Sequence, residues 1–173
     1  MLIDTGLGIG DLRSMVTEVV ETTPTLFLTH THWDHIGAAH QFDDVVVHDR
    51  ERTADGAVTI EGLSDEFVDR PDQFVDNWHG LEREFPDDFD PDAYEIPPVA
   101  DVGTVAPGET LPVGDRELES IGIPGHSPGQ LGLLDREAGI LFGADVIGIA
   151  GNLYAHFRDC DVGAYIQTFA DLV

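Results

Sequence analysis

The sequence contains no lysine: all eight of its basic residues are arginine, set against 34 acidic residues. A face built to bind nucleic acid needs clustered positive charge to meet phosphates, so a nucleic-acid partner is excluded. Cysteine is almost as scarce. Cys160 stands alone, which rules out an intramolecular disulfide and every cysteine-based zinc finger, and its plain reading is a small buried hydrophobe. Long apolar runs are missing too. No stretch approaches the roughly 20 residues needed to span a bilayer, so no membrane partner is expected. The opening residues lack a basic segment followed by an apolar one, so they do not read as a secretory leader and the expected location is the cytoplasm.

What is present suits a folded protein. The 173 residues, 42% of them hydrophobic, suffice for one domain with a sizeable core. Their net charge of −26 would defeat folding if apolar content were low, but the acids are dispersed among normal apolar content. Such a surface repels itself at low ionic strength and is relieved by screening, as expected of a halophilic source. The melting midpoint is therefore expected to rise between low and molar KCl. A flat or falling midpoint would reject salt adaptation.

The chain reads as alternating strands and helices, an α/β organisation. Residues 2–4 look like the end of a strand. Gly6, Gly8 and Gly10 form a turn; a dinucleotide fingerprint would need glycine at position 11, where Asp11 stands instead as the cap of a helix reaching Val20. Residues 25–28 and 45–48 read as strands, with a helix over 34–42 between them. From 63 to 101 the character changes. Leu63, Phe67, Phe74, Trp78 and Leu81 recur at helical spacing, interrupted by Pro71, and 85–98 reads as a loop, so this part is expected to be an insertion within a single domain over 1–173. Short strands follow at 110–113, 117–123, 131–134 and 140–142, and Asp161 caps a last helix.

The chemistry concentrates after the strand at 25–28. His30 and His32 alternate on extended backbone and so point the same way, and the following turn into helix brings Asp34 and His35 alongside. Imidazole and carboxylate are ligands suited to zinc and similar divalent ions. Solvated loop histidines are the ordinary alternative, but so many polar groups behind an apolar strand are costly to bury without a cation. His126, flanked by Gly125 and later Gly129, sits where backbone can turn sharply. Asp145 follows the apolar run 140–142, a costly place for a carboxylate that meets no cation.

The run His-Thr-His-Trp-Asp-His at 30–35 resembles the signature of the metallo-β-lactamase fold hydrolases. The resemblance continues in order along the chain. Leu-Ile-Asp-Thr-Gly at 2–6 is similar to that family's early strand ending in Asp-x-Gly. Pro-Gly-His-Ser-Pro-Gly at 124–129 is similar to its third-ligand motif, in the form of the glyoxalase II-like branch. Leu-Phe-Gly-Ala-Asp at 141–145 is similar to the strand that delivers its bridging carboxylate. The resemblance implies an αββα sandwich, incomplete at both termini, since the family's first hairpin would precede Leu2 and its last histidine ligand would follow Val173. By position it implies that His30, His32 and His126 bind a first metal, Asp34 and His35 a second, and Asp145 both. Asp34 would also orient the attacking water. Two zinc ions are expected per complete domain, with iron or manganese as alternatives, about 3.5–4 Å apart and activating a water between them.

The implied activity is hydrolysis of a small ester, thioester, lactone or phosphoester. The alternatives are an iron-dependent oxidoreductase of the same superfamily and a metal-binding fragment without turnover. The oligomeric state stays open. His156 stands too early to replace the missing late ligand and reads as exposed or pocket-lining. His40 reads as a surface residue and His48 as structural. Trp78 and His79 read as helix packing and exposure, or as a cap over the metal cleft; Tyr154 and Arg158 are candidate substrate contacts. The acids at 87–90 read as a solvated face.

Overall fold

Alternation along short apolar runs sets the architecture, which we describe from a computed structural model of residues 1–60, 70–81, 84–87, 89–146, 148, 151 and 153–173. Strands β1 (Leu2–Ile3), β2 (Leu26–Phe27), β3 (Val45–Val47) and β4 (Gly103–Thr104) form a parallel sheet in sequence order. Leu2 pairs with Leu26, Leu26 with Val45, and Val46 with Gly103. Strands β5 (Thr110–Val113), β6 (Arg116–Gly122), β7 (Leu131–Asp135) and β8 (Ile140–Phe142) form an antiparallel meander.

Odd and even positions serve different cores. Leu26, Leu28, Val45 and Val47 pack with Ile36, Ala39 and Phe42, joined by Leu12 and Val16 of helix α1 (Leu12–Val19). Phe27 and Val46 point the other way, against Leu118, Leu131 and Leu133 of the meander. One face of the parallel sheet therefore meets helices and the other meets the second sheet, as period-two alternation requires. Helix α4 (Val162–Leu172) docks through Tyr165 and Thr168, whose hydroxyl donates to the Pro124 carbonyl at 2.7 Å. Asp11 and Asp161 cap α1 and α4 as expected, each accepting from a backbone N–H three residues on.

The expected helix over 34–42 is broken. Helix α2 spans only Trp33–Ile36, and a 3-10 turn follows at Ala39–Gln41. The cause is tertiary competition for backbone groups. The Gly37 N–H donates to the Gly6 carbonyl at 2.9 Å, and the Ala38 N–H to the Thr5 hydroxyl at 3.1 Å. The turn at Gly6–Gly8 thus grips the end of α2. A Cβ on Gly37 would stand 2.1 Å from the Leu7 carbonyl carbon, closer than any contact can be. Gly37→Ala is expected to cost about 3 kcal/mol, lowering the melting midpoint by about 6–12 °C in a chain of this length. An unchanged midpoint would show that this backbone contact is dispensable.

Within the inserted segment, the described residues include helix α3 (Arg70–Gly80), which contains Pro71. Residues 85–87 and 89–98 are loop with a 3-10 turn at Pro91–Ala93. Leu63, Phe67 and Asp88 lie outside the described residues, as does the His79 side chain. No helix among the described residues is long and apolar enough to cross a membrane.

Candidate metal centre

Residues 29–32 follow β2, and the Thr29 carbonyl accepts from Leu131 N–H of β7 at 2.9 Å, tying the two sheets. His32 then forms the N-cap of α2, which carries His35 on its first turn. His126 comes from the opposite side of the domain. It follows Gly125, whose φ of 140° and position against the Tyr165 ring, 2.5 Å from any added Cβ, admit only glycine. Asp145 comes from a 3-10 turn just beyond β8, entered through Ala144 at a φ of 44°.

These residues converge. Ligand atoms of His30, His32 and His126 lie within 4.8 Å of one another, and so do those of His30, His35 and Asp145. His126 Nε2 is 2.8 Å from His32 Nδ1, and the Asp145 carboxylate spans His35 Nε2 and His126 Nε2 at 3.5 Å each. Asp34 belongs to neither group. It retains solvent exposure at the mouth of the site.

Surrounding acceptors fix which nitrogen faces inward. The Thr29 hydroxyl donates to Asp4 at 2.7 Å and so accepts from His30 Nδ1 at 3.0 Å. His30 Nε2 is left as a lone pair, fully buried and without a hydrogen-bond partner among the described residues. The Tyr154 carbonyl accepts from His126 Nδ1 at 2.8 Å, again leaving Nε2 for the centre. Asp4 takes His35 Nδ1 at 2.8 Å. Oxygen acceptors on the far nitrogen are how metal-binding histidines are held in one tautomer.

The electrostatics follow from burial. Desolvation, with the charges of neighbouring imidazoles, drives His30 well below its usual pKa and His32 down to about 3. Burial also lowers His126, against the opposing Tyr154 carbonyl. His35 behaves oppositely. Burial works against its charged form, but hydrogen bonds to Asp145 and Asp4, with the charges of Asp4 and Asp34, raise it to about 10. Desolvation raises the Asp34 carboxyl, Asp145 adding to it and His35 opposing. In Asp145 burial is outweighed by His35, His126 and His32, and its carboxyl falls. A site whose acids gather around a protonated imidazole is one that favours positive charge.

The family follows from this arrangement together with the whole sequence, which matches the family model of the metallo-beta-lactamase superfamily over residues 1–173. The chain belongs to the metallo-beta-lactamase superfamily. It is 32% identical to the acyl-coenzyme A thioesterase MBLAC2 of Gallus gallus, over 85% of this chain and 53% of that protein. To the MBLAC2 of Homo sapiens it is 31% identical, over 100% of this chain and 63% of that protein. The chain thus spans between half and two-thirds of the length of these curated relatives. Among solved structures it is similar to the BLEG-1 B3 metallo-beta-lactamase, with a TM-score of 0.62 and 22% identity over 99% of this chain and 73% of that one. The superfamily's αββα fold is the one described above.

Other candidate residues divide. His40 is exposed, and His48 caps a 3-10 turn through Nδ1, accepting from Arg50 N–H at 3.1 Å. His156 is exposed and lies on the Phe157 ring, outside both groups. Tyr154 and Arg158 are exposed, and Tyr154 reaches His126 through its carbonyl. Cys160 is half-buried rather than buried, its Sγ 3.2 Å from the carbonyls of His126 and Tyr154. Trp78 stacks with Phe85 in a series of rings that reaches Trp33, beside Asp34, through Phe74. Sequence reasoning assigned no role to Asp4, Glu51 or Phe157. Asp4 was within reach, because it closes the Asp-x-Gly strand. Phe157, whose ring lies 5.8 Å from His32, carried no signal.

Proposed function

We propose that this chain hydrolyses thioesters of the acyl-coenzyme A class through zinc, with His30, His32 and His126 holding a first ion, Asp34 and His35 a second, and Asp145 serving both. The observation that carries the reading is the convergence of buried ring nitrogens within 4.8 Å, one of them, His30 Nε2, buried without a hydrogen-bond partner among the described residues. Imidazole nitrogens with a carboxylate fit zinc, and the same donors suit iron or manganese. A divalent cation bound there supplies Lewis acidity and lowers the pKa of a water molecule. The thioester class rests on the MBLAC2 relatives, which are thioesterases by name.

The remaining steps fall to the chain's own residues. Asp34, exposed at the mouth and with its carboxyl raised by desolvation, orients the attacking water and takes its proton. Asp145 links the two groups through His35 and His126. Water adds its oxygen to the acyl carbon, the carbon–sulfur bond breaks, and the proton passes to the leaving sulfur. The apolar acyl chain would lie along Trp33 and Phe74, whose rings are 5.7 Å apart.

The test is turnover of acyl-coenzyme A thioesters, oxygen esters and phosphoesters, with metal analysis of protein purified without added metal. Assays belong in molar KCl as well as low salt, because a net charge of −26 repels an anionic substrate until it is screened. Thioester hydrolysis with bound zinc is expected. Iron together with oxygen consumption would replace this reading with an oxidoreductase, and bound metal without turnover would replace it with a metal-binding role.

A further inference from the structure

One buried carboxylate near the histidines belongs to neither ligand group. Glu51 closes the 3-10 turn Asp49–Glu51 after β3 and is only 5% exposed. Its Oε2 accepts from the N–H of Thr31 at 3.1 Å and from the Thr31 hydroxyl at 2.9 Å. Thr31 is the residue between His30 and His32. Its Oε1 accepts from the N–H of Gly129 at 2.7 Å and from the hydroxyl of Ser127, the neighbour of His126. Gly129 has no room for a side chain, since a Cβ would meet Glu51 Cγ at 2.8 Å and His48 Nδ1 at 2.9 Å.

From this geometry we infer that Glu51 is a positioning residue that locks the loop carrying His30 and His32 to the loop carrying His126. The inference rests on reading those histidines as metal ligands. His32 and His126 are 94 residues apart in sequence, yet their ring nitrogens stand 2.8 Å apart. No local backbone constraint can hold that separation; a bridge between the loops can. Burying a carboxylate is costly unless its oxygens are satisfied, and here four donors satisfy them. Two of the four are backbone N–H groups, which can only donate, one on each oxygen. Both oxygens must therefore accept. A glutamine of the same shape has one accepting oxygen and would turn its NH2 towards either Thr31 N–H or Gly129 N–H. With the bridge in place, the three histidines are ordered on folding rather than on metal binding, and affinity gains accordingly.

The experiment compares the wild-type chain with Glu51→Gln, Ser127→Ala and Val105→Ala. Zinc affinity is measured by chelator competition, melting midpoint by calorimetry, and hydrogen exchange at the Thr31 and Gly129 amides in metal-free protein. Glu51→Gln is expected to weaken zinc binding about 10–100-fold, the range for partners that orient metal ligands, and to speed exchange at both amides. Val105→Ala, in the core between the sheets, is expected to lower the midpoint and leave zinc affinity unchanged. Zinc affinity and exchange in Glu51→Gln equal to wild type would overturn the inference. If Glu51→Gln does not fold, Ser127→Ala decides, because it removes one tie and keeps the carboxylate: weaker zinc binding supports the bridge and unchanged binding rejects it. If the wild type binds no zinc, the metal reading falls by itself. Faster exchange at both amides would then still support the tie between loops, and unchanged exchange would reject it.

Discussion

Replacing His126 with alanine is expected to bring thioester turnover down by about 10³-fold or more, because the acidity a metal lends to water is lost with the metal. Zinc bound to the chain should fall with it. His126 completes the first ligand group and faces Asp145 of the second. Its Nε2 faces His32 at 2.8 Å and Asp145 at 3.5 Å, while the Tyr154 carbonyl holds its other nitrogen. Without it the first group keeps only His30 and His32, and catalytic zinc sites need three protein ligands. The change should be local. His126 stands on a loop braced by Gly125 against Tyr165 and by the Asp161 N–H bond to the Gly125 carbonyl at 2.8 Å. Loss of activity and metal with an intact circular-dichroism spectrum is the expected result. A variant as active as wild type would remove this site from the chemistry.

The antiparallel meander was readable because its strands are short runs bounded by turn residues. The expected strand at 110–113 coincides with β5, and that at 140–142 with β8. The residues that converge in the candidate site were readable for a different reason: they lie in short motifs whose spacing survives folding. His30, His32 and His35 occupy six consecutive positions, and His126 and Asp145 each follow glycine or alanine at a positive-φ turn. What failed depended on partners distant in sequence. The helix over 34–42 has sound local signals, and only the grip of Thr5 and Gly6 on Gly37 and Ala38 breaks it. Strand β4 is two residues long and begins with glycine, so its pairing with β3 alone defines it.

Glu51 shows the limit most clearly. In the run Asp-Arg-Glu-Arg at 49–52 it reads as one more charge on an acidic surface. Its neighbours Asp49 and Arg52 do pair in that way, at 2.6 Å. Glu51 is buried only because Thr31, Ser127 and Gly129 meet there, and no one of those residues announces the others. Residues that bind metal carry recognisable chemistry in the sequence; residues that position them need only be acceptors in the right place.

Acid should unfold the metal-free chain steeply, starting below pH 6.5. His30, His32 and His126 all have lowered pKa values in the folded protein, burial being the main cause and His32 reaching about 3. In the unfolded chain each takes a proton near pH 6.5. Stability from keeping them neutral is therefore fully present above pH 6.5 and is lost as pH falls, because the unfolded state then binds more protons. Each such group adds about 1.4 kcal/mol per pH unit to the slope while its folded ring stays neutral, a large share of a domain's stability over two or three units. His35 has the opposite sign. Raised to about 10, it contributes fully below pH 6.5, and that contribution is lost as pH rises through 10. The metal-free protein should thus be most stable near pH 6.5, falling gently on the alkaline side and steeply on the acid side. The same signs govern zinc uptake. At pH 7.5 the first group is already neutral and should release almost no protons on binding, whereas the second must expel the His35 proton. Calorimetric titration in buffers of different ionisation enthalpy counts those protons: release about one proton smaller in His35→Ala than in the wild type is expected. Release that is the same in His35→Ala and in the wild type would overturn the assignment of a charged ring to His35 in the metal-free protein.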